Sequence, residues 1–187
     1  MSSADRDHWD SQYIEAGPAP VLIPPPPPPL FADVVDLFPT SGTALELACG
    51  RGRAAMWLAS RGMSYLGVDV SPTAIALARE LADRSGVSGR CRFEVFDLDV
   101  GLPPGDQVDL VLSYLFLDRR LARPMIHRLA PGGMLAIATL SEVDAGPGDY
   151  RAAPGELPRL FGALDILAGD EADGFAWLIA RNPTQGK

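Results

Sequence analysis

Residues 44–55 place the tightest constraint on how this chain can fold. A short apolar run, Ala44 to Ala48, carries one acid at Glu46 and breaks at Gly50-x-Gly52, after which Met56, Trp57 and Leu58 open a helical pattern. A buried strand that turns on glycines straight into a helix leaves bare backbone within reach. The glycines lack the Cβ atoms that would hold a ligand off, and the first turn of the helix offers N–H groups with no intrahelical partner. A nucleotide-like molecule is expected to lie against this turn.

The same alternation extends along the chain. Thr43–Ala48 predicts a strand, Gly52–Ser60 a helix closed at Gly62, and Ser64–Val70 a second strand. Ser71 followed by Pro72 is a cap with proline at the first helical position, and that helix is expected to run to about Ser85. Arg92–Phe96 and Val108–Tyr114 read as further strands. Leu117–Arg123 reads as a loop, because Pro124 suits the first position of the next helix, from which Met125, Ile126 and Leu129 face the sheet. Pro131-Gly132-Gly133 is a turn and Met134–Leu140 a fifth strand. Alternation of this kind predicts an α/β, doubly wound, mostly parallel sheet with right-handed crossovers. After it come a short helix, Leu157–Phe161, and two apolar runs, Leu164–Ala168 and Phe175–Arg181. Joined by Gly169–Gly174, these predict a closing antiparallel hairpin.

Residues 1–29 differ in character. His8, Trp9, Tyr13 and Ile14 have helical spacing, Gly17-Pro18 ends that segment, and Pro24–Pro29 are six prolines in a row. Such a tract is extended or irregular: a stiff connector, a ligand for a proline-binding module, or a spacer that carries the Trp9/Tyr13 segment across the mouth of the site as a lid. Leu30–Phe38 reads as a short amphipathic helix. Residues 30–187 are expected to form one domain.

Composition narrows the classes. Apolar residues make up 47% of the 187, enough for a sizeable core, and no run approaches the length of a membrane span. The polar start, without a secretory signal, makes a cytoplasmic location the expectation, with no membrane partner. Cys49 and Cys91 show neither metal-ligand spacing nor a disulfide framework, so no metal site is expected. A net charge of −8 argues against nucleic-acid binding, whose affinity rests on basic residues neutralising phosphates. The one lysine, Lys187, leaves no internal amine for Schiff-base chemistry.

Three acids, Glu46, Asp69 and Asp97, fall at or near the ends of consecutive strands, where open parallel sheets bind ligands. A carboxylate at the second strand's end suits two vicinal ribose hydroxyls, because it accepts both O–H bonds. Asp97 suits an exocyclic amine and Glu46 a cationic amino group. A ligand with an amine, a ribose and an adenine fits that set: S-adenosylmethionine. Gly50-x-Gly52-x-x-Ala55 also satisfies a dinucleotide fingerprint, with Asp69 near the expected distance, so an NAD-dependent oxidoreductase is a competing reading. Glu46 weighs against it, since an acid before the loop repels a diphosphate in a desolvated site. A binding module without turnover is the third reading.

At this point the chain resembles the class I S-adenosylmethionine-dependent methyltransferases over about residues 30–182. The resemblance rests on Glu46 through Arg53, on Gly67-Val-Asp69-Val-Ser-Pro, on Asp97-Leu-Asp, on Val108 through Tyr114 and on Leu129-Ala-Pro-Gly-Gly-Met, in that order. Its length and Trp9-x-x-x-Tyr13 are similar to the small bacterial tellurite-resistance and thiopurine methyltransferases. The family implies a Rossmann-like sheet of about seven strands, the last antiparallel. Carried onto matching positions, Ala48, Gly50 and Gly52 pack against the methionine part and Glu46 orients its amine. Asp69 takes the ribose hydroxyls, Val70 lies against adenine, Asp97 and Leu98 meet the adenine edge, and Ser113 contributes a carbonyl. Methyl transfer is an in-line displacement in which the cofactor brings the activated group, and a small-molecule acceptor is expected. The candidates beside the reacting carbon are Tyr114, Arg119 in the run Asp118-Arg119-Arg120-x-x-Arg123, and Tyr150; His8 and His127 are not expected to serve as bases.

Overall fold

The computed structural model describes residues 3–148 and 150–184; Met1, Ser2, Asp149 and residues 185–187, Lys187 among them, lie outside the described residues. The chain divides into two compact units, Met1–Pro103 and Pro104–Lys187.

The first unit opens with α1 (Ser3–Ala16) and an extended proline stretch in which Pro28 is buried. A 3-10 helix over Pro29–Leu37 follows, where an α-helix is expected. It kinks at Val34 (φ −125°, ψ 21°), where paired β-branched Val34 and Val35 disfavour a continuous helix. Phe31, fully buried, packs on Phe38 at 5.5 Å between ring centroids, and Phe38 meets Trp57 edge-on at 5.0 Å. The Arg61 guanidinium lies 5.1 Å over Trp57 and donates to the carbonyls of Val35 and Phe38. This cluster fixes the approach to β1 (Thr43–Leu47). Then come α2 (Arg53–Ser60), β2 (Ser64–Asp69), α3 (Pro72–Arg84) and β3 (Cys91–Val95). β2 pairs in parallel with β1 on one side and β3 on the other, with Gly67 opposite both Glu46 and Phe93. β1 and β2 bury nearly every residue, as parallel strands covered by helices on both faces do. The Ser71 hydroxyl caps α3 by accepting from the Ala74 N–H at 2.9 Å, with Pro72 following as expected.

The second unit holds β4 (Val108–Tyr114), α4 (Ala122–Arg128), β5 (Leu129–Ser141), β6 (Arg151–Ala152), α5 (Glu156–Leu160), β7 (Asp165–Ala172) and β8 (Phe175–Arg181). β4 and β5 are parallel, β8 runs antiparallel beside β5, and β7 antiparallel beside β8. Two expectations need correction. A 3-10 turn over Arg119–Leu121 leads straight into α4, which begins at Ala122, so Pro124 sits inside the first turn. There an N–H would have no helical partner, and proline is tolerated. The hairpin turn is not the six residues Gly169–Gly174 but Asp173-Gly174, at φ 52° and 79°, the mirror-image turn that matches strand twist. β7 is exposed along most of its length, so its acidic residues continue the strand without an apolar signal.

Among the described residues there are eight strands against an expected seven or so; the short β6, two residues paired with the end of β5, is the unforeseen one. Mostly parallel pairing with an antiparallel C-terminal pair agrees with the α/β reading. No described helix is long and apolar enough to cross a membrane.

Truncating Phe31 to alanine removes a fully buried ring from the aromatic cluster. The expected loss is about 3–5 kcal/mol, a fall in Tm of roughly 10 °C in a melt followed by circular dichroism.

Candidate functional site

The turn after β1 is shaped by positive φ angles at Ala48 (53°), Gly50 (51°) and Gly52 (72°). The Cys49 N–H donates to the Val68 carbonyl at 3.0 Å, carrying the β1–β2 ladder two residues past the end of β1. The Asp69 carboxylate then joins two turns. One oxygen accepts from the Gly50 N–H at 2.9 Å and the other from the Ser71 N–H at 3.0 Å. Burial raises the Asp69 pKa, and those two N–H groups pull against it.

Glu46, on β1, is 4% exposed. The Tyr65 hydroxyl, on β2, donates to it. Burial dominates its titration, the Tyr65 bond opposes, Asp69 reinforces, and the carboxyl is pushed up to about 8. It therefore holds its proton near neutral pH until a positive charge arrives.

α1 packs against this turn. A Cβ built on Gly50 would meet the Tyr13 hydroxyl at 2.8 Å, so the phenol occupies the approach that glycine opens. Burial raises the Tyr13 pKa, with Asp69 adding to it. Arg51 donates to the carbonyls of Ala16 and Gly17 at 3.1 and 2.7 Å, tying the end of α1 to the glycine turn. Asp10 accepts from the Ser71 hydroxyl and from the Thr73 N–H at the start of α3. Burial alone would raise the Asp10 pKa; these two bonds outweigh it and lower it.

The Phe96 N–H donates to the Asp69 carbonyl, which sets Asp97 beside the end of β2. Asp97 accepts from the Asp99 N–H at 2.9 Å; Leu98 next to it is buried, as is Val70 next to Asp69. Glu46, Ala48, Gly50, Gly52, Asp69, Val70, Asp97 and Leu98 thus all lie at or beyond the ends of β1, β2 and β3 in one unit.

The remaining candidates belong to the second unit. The buried Ser113 donates its hydroxyl to the Phe116 carbonyl at 2.7 Å, and Tyr114 is half-buried at the end of β4. Arg119 grips the Glu156 carboxylate with two N–H groups and donates to the Arg151 carbonyl at 3.0 Å. Arg119 holds the Glu156 carboxyl below its usual range. Tyr150 is 78% exposed.

Tyr65 and Asp10 were missed by reasoning from sequence. For Tyr65 a signal existed: Gly67 two positions on shares its strand face, and a strand glycine beside an aromatic marks room for a ring. Asp10 had none, since its partners lie over sixty residues away.

Residues 44–133 match the methyltransferase-domain family. A curated relative, the ribosomal RNA small subunit methyltransferase C of Alcanivorax borkumensis, is 32% identical over 112 residues, 54% of this chain and 33% of its own. The chain spans about a third of the length of the first curated relatives it matches. Among solved structures, TehB from Haemophilus influenzae superposes with a TM-score of 0.71 at 19% identity, over 94% of this chain and 66% of that one. An S-adenosylmethionine-dependent methyltransferase from Mesorhizobium loti gives 0.64 at 20% identity, over 78% and 94%. At such identities the likeness shows the fold. Taken together, residues 44–133, which hold the glycine turn and the strand-end acids, match the methyltransferase-domain family, and the chain shares the fold of S-adenosylmethionine-dependent methyltransferases.

Proposed function

We propose that this protein transfers the methyl group of S-adenosylmethionine to a small-molecule acceptor by in-line displacement. The observation that carries the reading is the cluster Glu46–Gly50–Asp69: a buried carboxyl, a Cβ-free turn and a second carboxylate on adjoining turns. The groups acting on Glu46 are Tyr65 and Asp69, neither a source of positive charge, so the carboxyl suits an incoming ammonium. Asp69 has both oxygens on backbone N–H groups and spare lone pairs for a ribose diol. The backbone of Ala48, Gly50 and Gly52 lies against the amino-acid part, Val70 against the base, and Asp97 with Leu98 at its exocyclic edge.

When bound, the cofactor supplies the activated methyl group, and the protein holds it in line with the acceptor and excludes water. A thiolate or metalloid oxyanion needs no base; an alcohol does. A small acceptor is favoured over RNA by the net charge of −8. Residues 1–29 act as a lid, with α1 clasped by Asp10, Tyr13 and Arg51 over the glycine turn.

Asp69→Asn keeps the size but removes the charge and turns one of the two N–H acceptors into a donor; its affinity for S-adenosylhomocysteine should fall about 10- to 100-fold in calorimetry while the melt stays cooperative. Unchanged affinity would remove the ribose assignment. Asp10→Ala removes the acceptor of both the Ser71 hydroxyl and the Thr73 N–H and loosens the lid, and stopped-flow release of the same ligand should quicken by about tenfold or more. Labelled methyl should appear on members of a panel of thiols, metalloid oxyanions, halides and phenols. Label on ribosomal RNA with none on the panel would overturn the acceptor class.

A further inference from the structure

The interior of the first unit holds a polar device that the cofactor contacts leave unexplained. Tyr65 is 2% exposed, its ring lies 5.6 Å from that of Phe93, and its hydroxyl meets Glu46. It has room only because residue 67 is glycine. A Cβ there would stand 2.7 Å from the Tyr65 hydroxyl, 2.8 Å from its Cε1 and 2.9 Å from the Cys49 sulfur. Gly67 is not among the residues with positive φ, so space and not backbone conformation demands glycine. Strand glycines weaken a sheet, and this one makes way for a hydroxyl.

We infer that Tyr65 is a positioning residue for Glu46: its buried hydroxyl holds one carboxyl oxygen, leaves the other for the cofactor's ammonium, and couples cofactor capture to release of the Glu46 proton. The inference rests on the reading that Glu46 meets that ammonium. The groups facing Glu46 are Tyr65 and Asp69 from β2, Cys49 from the turn and Tyr13 from α1, with Arg51 acting on Tyr13. None of the four that face it carries a positive charge. Burial, reinforced by Asp69, raises the carboxyl and the Tyr65 bond opposes them, leaving it at about 8, so the phenol is what keeps ionisation within reach of neutral pH. On capture, the neutral carboxyl becomes a carboxylate paired with the ammonium, and its proton leaves to solvent. Tyr65 keeps its own proton, since burial and the Glu46 carboxylate raise it.

The test is calorimetric titration of S-adenosylhomocysteine into wild type, Tyr65→Phe and Glu46→Gln, from about pH 6 to about 9, in buffers of differing ionisation enthalpy. Wild type should bind more tightly as pH rises towards 8 and release a proton. In Tyr65→Phe the midpoint should move up by roughly one unit, so that affinity falls about tenfold at neutral pH and recovers in alkali. Glu46→Gln should bind weakly with a flat profile. A Tyr65→Phe profile with the wild-type midpoint, or weakened equally at every pH, overturns the inference while a flat Glu46→Gln profile leaves the cofactor reading standing. Glu46→Gln with wild-type affinity and slope sinks both. Should Tyr65→Phe fail to fold, infrared spectra of wild type read the same coupling. A protonated-carboxyl band, absent from Glu46→Gln, that is lost on adding the ligand supports it; no such band before addition overturns it.

Discussion

The Asp69 carboxylate is the fastening on which the candidate site depends. It accepts from Gly50 on the turn after β1 and from Ser71 on the turn after β2, so one side chain sets the distance between two loops. Parallel pairing brings β1 and β2 side by side but leaves the loops beyond them free to differ. A carboxylate that takes one N–H from each loop removes that freedom. Its burial is tolerable only because both oxygens are satisfied. Ser71 in turn caps α3 and donates to Asp10, so the fastening extends through the helix start to α1.

A second network organises the far unit by similar means. Glu156 takes the Arg119 guanidinium and the Ala153 N–H. Glu171 on β7 reaches the Ser141 hydroxyl and the Gly155 N–H, and Arg151 reaches the carbonyls of Ser141 and Gly174. The end of β5, the start of α5 and the hairpin are bound together by charged side chains on main-chain groups. Pairing with Glu156 gives Arg119 a structural partner.

The local grammar of the chain was legible because it is written in short-range physics. Glycines after β1, the Ser71 cap, the proline beside it and the apolar runs all act within a few residues, and the elements fell close to where those signals put them. What escaped was set by contacts distant in sequence or by exposure. The second half of β7 shows no apolar pattern because it is largely solvated, so it passed for a loop. Pro124 was read as a helix start although the first turn admits it at several positions. The acids at the strand ends were readable as residues, but not their partners. Glu46 was expected to await an amine, and its hydrogen bond to a tyrosine nineteen residues on was marked only by the glycine at position 67.

α1 is held in an unusual manner. Of residues 6–16 only Asp10 and Tyr13 are less than exposed, with Trp9 at 43%, and the fastenings include hydrogen bonds to Asp10 and from Arg51 and one phenol packed on glycine. Detaching such a helix would wet the covered parts of two aromatic rings, Trp9 and Tyr13, and those rings set its heat-capacity change. Apolar contacts slacken on cooling, so the rings are the part of this hold that weakens in the cold while the hydrogen bonds remain.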